Sequence, residues 1–170
     1  MTELKFKNKR MQIARSRSAS NGVKGVTLIE LLVSIFIIAV IATIFMSVFS
    51  TFRENSQLTE AHSAIVGVLK DARSRTLSSQ NKSDYGVHFE TAKAVLFKGN
   101  IYNSADASNE PYFLPTSVQI GPINLTGGAV DTVFTRLLGT TTASGTVTIS
   151  SKRSGGPTRA ITILSTGNAQ

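Results

Sequence analysis

The chain has no cysteine and only two histidines, His62 and His88. Without cysteine no disulfide can brace it, so any exported part must rely on its core and on contacts with other chains. A three-ligand zinc site would need both histidines and a carboxylate distant in sequence. No Gly-x-Ser-x-Gly elbow and no phosphate-cradling glycine loop occurs, so nothing here argues for an enzyme or for a bound cofactor. One further absence is local: Leu31 to Phe49 holds no charged residue, no glycine and no proline.

That charge-free run is the most informative stretch. At 1.5 Å per residue, Val26 to Phe49 would make about 36 Å of helix, enough to cross a bilayer core of about 30 Å. Inside its first turns stands one carboxylate, Glu30. A charge well inside a membrane helix costs about 2.5–3.5 kcal/mol on insertion scales, so such residues usually mark a function with a partner. A carboxylate lying at the headgroup level is the plainer alternative.

Charge is unevenly placed. The formal charge is +8, but residues 1–25 hold seven Lys/Arg (Lys5, Lys7, Lys9, Arg10, Arg15, Arg17, Lys24) against Glu3 alone, a net of +6. Residues 26–170 carry eleven bases and nine acids, only +2. Basic residues before a membrane helix stay on the cytoplasmic side, so the carboxy-terminal part is expected to be exported. The apolar run exceeds the roughly 7–15 residues of a secretory signal. Either Met1 or Met11 could start the chain.

A basic leader, a glycine, a short apolar entry with Glu five residues on, and then some twenty apolar residues resemble a type IV prepilin processing site. The residues concerned are Gly25-Val26-Thr27-Leu28-Ile29-Glu30. The resemblance implies cleavage between Gly25 and Val26 by a prepilin peptidase, N-methylation of Val26, and an assembly role for Glu30. Physical chemistry agrees with that role. A freed amine at Val26 is cationic, the helix amino terminus is already positive, and a nearby carboxylate in low dielectric attracts a neighbouring subunit's amine.

Beyond Phe49 the chain turns amphipathic. Leu58, Ala61, Ile65, Val68, Leu69 and Ala72 follow three-and-four spacing from Arg53 to about Ser79, with Glu54, Gln57, Glu60, Lys70, Asp71, Ser74 and Arg75 on other faces. Ser78–Lys82 reads as an exit loop. Strand signals come next, around Tyr85–Phe89, Val95–Phe97, Val118–Ile120, Val133–Leu138, Val147–Ile149 and Ile161–Ile163, with a hairpin loop over Ser151–Pro157.

The expected fold is α+β: a long amino-terminal helix, half membrane-spanning and half amphipathic, packed on a carboxy-terminal antiparallel β-sheet head. The divisions are a leader (1–25), a transmembrane assembly helix (26–52), an amphipathic helix (53–80) and a β-rich head (81–170). The runs Tyr85–Phe89, Val133–Gly139 and Ile161–Gly167 resemble heads of the GspH/FimT class of minor pseudopilins and pilins. The lack of cysteine also leans toward minor pilins and pseudopilins.

The resemblance implies a structural, minor-type subunit of a type IV pilus or of a type II secretion pseudopilus. Its partners would be other pilin subunits, the prepilin peptidase and the inner-membrane assembly platform. It would begin as a single-pass protein of the cytoplasmic membrane and end in a surface pilus or periplasmic pseudopilus. Two alternatives stand beside this. Some minor pilins of this class bind DNA during uptake, and Lys152, Arg153 and Arg159 flank the expected hairpin loop. An unprocessed, membrane-anchored surface protein is the other. The loop Asn103–Glu110 offers oxygen ligands, with Asp106 and Glu110 as candidate calcium ligands, but it departs from the EF-hand pattern, and polar loops of this composition are usually just solvated.

Overall fold

The computed structural model describes residues 25–170, apart from the side chains of residues 46 and 47. The cationic leader up to residue 24 and the alternative start at Met11 lie outside the described residues. The chain falls into two units, Met1–Ile41 and Ala42–Gln170, and helix α1 (Leu28–Leu77) contributes to both.

In the first unit Thr27 caps α1. Its hydroxyl accepts the Glu30 backbone N–H at 3.2 Å and its carbonyl accepts that of Leu31 at 3.1 Å, which satisfies donors that a helix start otherwise leaves open. From Val26 through Phe45 every residue is exposed, including Leu28, Ile29, Phe36 and Ile38. α1 is long and apolar enough to cross a membrane.

In the second unit α1 buries Leu58, Ala61, Ile65, Leu69, Ala72 and Thr76, steps of three and four that keep one face inward. Val66 widens this stripe and Val68 lies at its rim. The buried Thr76 hydroxyl donates to Ala72 O at 2.8 Å and accepts Tyr85 N–H at 3.1 Å, so its polarity is satisfied and the helix end is tied to the first strand.

Seven strands come after the helix: β1 (Tyr85–Glu90), β2 (Lys93–Lys98), β3 (Glu110–Phe113), β4 (Val118–Leu125), β5 (Asp131–Phe134), β6 (Gly145–Ser151) and β7 (Thr158–Ile163). All pairings are antiparallel. They form two sheets, ordered β3-β2-β1-β5 and β4-β6-β7, rather than the single sheet that the strand pattern suggests. Alternation marks which residues share a face; which strands pair is set by contacts distant in sequence. The apolar faces of both sheets (Val87, Phe89 and Leu96; Ile120, Val147, Ile149 and Ile161) join the helix stripe in one core.

Two local expectations need correction. The run Val133–Leu138 is strand only as far as Phe134, because Leu138 and Gly139 fold back onto Thr135 O and Leu137 takes φ 66°. The turn is tied to the helix end: Leu137 N–H donates to Thr76 O at 3.2 Å, sharing that carbonyl with Ser79 N–H at 3.1 Å, and Leu137 and Leu138 are left 64% and 67% exposed. Conversely, the loop expected over Asn103–Glu110 ends a residue early, because Glu110 opens β3, an edge strand that tolerates the missing N–H of Pro111.

The first sheet's other face carries a smaller packing group. Val95 and Phe97 are buried there, Tyr102 stacks on His88 with centroids 3.9 Å apart, and it meets Phe97 edge-on at 5.5 Å. His88 also pairs with Asp131 and faces away from Tyr85, Val87 and Phe89, as alternation predicts. Gly86 lies beneath Phe97: a Cβ there would come within 2.6 Å of the Phe97 ring and 2.9 Å of Thr132 O.

Candidate processing and assembly site

Gly25, Val26 and Thr27 precede the helix in non-regular backbone, and Glu30 lies in the first turn. Gly25 is exposed, its φ lies outside the left-handed region, and a Cβ added to it would meet no atom within 4 Å. Among the described residues nothing therefore requires glycine at this position.

Glu30 is exposed at a helix amino terminus, where a negative side chain favours the helix by about 0.3–1 kcal/mol. Its backbone is fully used: the N–H goes to Thr27 Oγ1 and the carbonyl accepts Ser34 Oγ at 2.7 Å. Thr27 and Glu30 together have the Thr-x-x-Glu spacing of a capping box, a signal present in the sequence that the processing motif overshadowed.

Residues 20–46 match the family model described as the prokaryotic N-terminal methylation motif. This match supports a type IV pilin-like protein. It also implies, in general terms, prepilin peptidase processing and pilin partners, and with the apolar helix it fits a membrane-anchored pilin. The matched family is of structural pilin type rather than an enzyme family. No curated protein and no solved structure matches the chain.

The remaining sequence candidates lie beyond the helix. Lys152 and Arg153 sit in the β6–β7 loop, while Arg159 lies within β7 opposite Ile149. Arg153 is engaged by the helix: its Nη2 lies 3.1 Å from Glu54 Oε2, and Ser151 Oγ donates to the same oxygen at 3.5 Å. The loop is anchored again where Lys152 N–H donates to Ser117 O at 2.8 Å and Ser117 Oγ to Gln57 Oε1 at 2.5 Å. The three bases thus do not form one presented cluster.

Asp106 and Glu110 have separate partners. Asp106 Oδ1 accepts the Ser108 N–H and hydroxyl, both at 2.8 Å, and these bonds hold the carboxyl below its ordinary value. Glu110 receives both Nη groups of Arg75, one at 2.9 Å, which lowers its pKa in turn. Arg75 also grips Asp71 at 2.7 Å one turn earlier, and the two carboxylates push its own pKa up. Among the described residues no group of three or more His, Asp or Glu is arranged to hold a metal ion. What Asp106 does is turn the loop, and Glu110 with Arg75 fastens β3 to the helix.

Proposed function

We propose that this chain is a structural, minor-type subunit of a type IV pilus or type II secretion pseudopilus. It is cleaved between Gly25 and Val26 by a prepilin peptidase, methylated at Val26, and assembled through its amino-terminal helix. The carrying observation is a glycine that nothing among the described residues needs, just ahead of an exposed apolar helix with one carboxylate in its first turn.

The exposed segment supports assembly on energetic grounds. Large apolar side chains left without cover in their own chain gain about 25 cal/mol per Å² when buried against lipid or neighbouring helices. Glu30 then has a role that hydrophobic packing cannot supply. It attracts the Val26 amine of an adjacent subunit and fixes the axial stagger between parallel helices.

The test is intact mass and amino-terminal sequence of the protein from membranes of cells with and without the prepilin peptidase. A chain that begins at Val26, is one methyl heavier, and appears only with the peptidase supports the reading. An uncut chain in both strains rules it out and leaves a signal-anchored surface protein.

A further inference from the structure

From Leu31 through Phe52 there is no charge, and the first charged residue after that run is Arg53, exposed on α1. A bilayer core takes up about 20 residues of helix, so on the membrane reading above Arg53 falls in the headgroup layer on the exported side. The β6–β7 loop is held at the same level. Arg153 pairs with Glu54, Ser117 with Gln57, and Lys152 N–H with Ser117 O. Within that loop Ser151 N–H donates to Pro157 O at 3.0 Å and Gly156 N–H to Arg153 O at 2.9 Å, so its shape is set before it meets anything.

Arg53, Lys152 and Arg153 are thereby gathered beside one helical turn, with Glu54 as the local carboxylate. Glu54 is turned inward, its side chain 16% exposed, whereas Arg153 remains 50% exposed and Lys152 is exposed. The outward charge is positive. On the membrane reading, the patch lies beside the helix turn that leaves the bilayer plane, next to lipid headgroups. It suits a surface that is itself anionic and lies in that plane.

We infer that Arg53, Lys152 and Arg153 form a headgroup-binding collar that seats the head on anionic phospholipid before the subunit leaves the membrane. The inference rests on the proposed membrane insertion of α1. Each cation near an anionic leaflet favours docking about fivefold, and the attraction fades beyond a Debye length of about 8 Å at physiological salt. Pairing Glu54 with Arg153 gives the collar its geometry, because it fixes the loop at the level of Arg53.

The absence of native cysteine allows a direct measurement. Ser154→Cys in the full-length chain, carrying a fluorophore, is placed in nanodiscs of phosphatidylcholine with or without phosphatidylglycerol, each containing headgroup-attached acceptors. The expected result is energy transfer that rises with phosphatidylglycerol and falls with salt. Arg53→Gln and Lys152→Gln, which leave the Arg153–Glu54 pair intact, should each lower the docked-to-undocked ratio about fivefold. Equal transfer in both lipids, or transfer indifferent to both variants and to salt, overturns the inference while leaving membrane insertion standing. Duplex DNA binding by the solubilised protein that the same variants abolish, with lipid transfer unchanged, also overturns it and assigns the patch to nucleic acid. Failure of the chain to enter nanodiscs sinks the membrane reading and this inference together.

Discussion

Arg153 Nη2 lies 3.1 Å from Glu54 Oε2, and this ion pair joins the β6–β7 loop to the helix turn just beyond the apolar run. With its side chain largely covered, Glu54 loses its charge partner when Arg153 is removed. Because Arg153 is half exposed and Ser151 Oγ remains on Glu54, Arg153→Ala is expected to cost up to about 1 kcal/mol. The Glu54→Ala/Arg153→Ala double variant should cost less than the two single changes added together. Thermal melts of the four chains in one detergent decide it; strict additivity would show that the pair contributes nothing.

The glycine before the helix separates folding from processing. Gly25→Ala adds a methyl into open space, so its melt should match the parent within about 0.5 kcal/mol. Processing at Gly25–Val26 should fail, visible as an unshifted mass in peptidase-positive cells. Glu30→Leu should insert and be cut normally yet be missing from sheared filaments or from pseudopilus preparations. Normal incorporation of that variant would remove the assembly role of Glu30.

Acid should loosen the β3 edge. Glu110 is held below its ordinary value of 4.5 by Arg75, so its contribution to stability is fully present above that value and is lost as pH falls through the lower folded one. The Glu110 side chain is 55% exposed, so the pair is worth less than about 1 kcal/mol. Glu110→Gln should therefore lower stability slightly at neutral pH and flatten the acid limb below 4.5. Stability curves of parent and variant that stay parallel down through the acid range would contradict this.

Gly86 should tolerate no side chain. Phe97 is 1% exposed and cannot swing away from a new Cβ, and the second obstacle is the backbone oxygen of Thr132. Gly86→Ala is expected to lose about 1–3 kcal/mol by overpacking, and Gly86→Val more. Hydrogen exchange should then rise first in β1 and β5, which pair at this rung through Val133. A parent-like melt for Gly86→Ala would mean that Phe97 has room to move.

The sequence by itself determined whatever repeats at short range. The spacing of Leu58, Ala61, Ile65, Leu69 and Ala72 marks the buried helix face, because 3.6 residues per turn is a local rule. Alternation placed Val87 and Phe89 inward and His88 outward for the same reason. The processing motif was legible because a glycine, a carboxylate and an apolar run carry their meaning in their order along the chain.

Tertiary structure alone decided what depends on residues far apart. Division into two sheets results from β1 pairing with β5 and β4 with β6, and no local pattern encodes these pairings. The exposed Leu137 and Leu138 look like strand, but the Leu137 N–H bonds across to Thr76 O on the helix and the chain turns back onto Thr135 O. Lys152, Arg153 and Arg159 look like one basic cluster in sequence. A single carboxylate on the distant helix, Glu54, separates Arg153 from Arg159, because a largely covered charge must find its counter-charge wherever the fold supplies one.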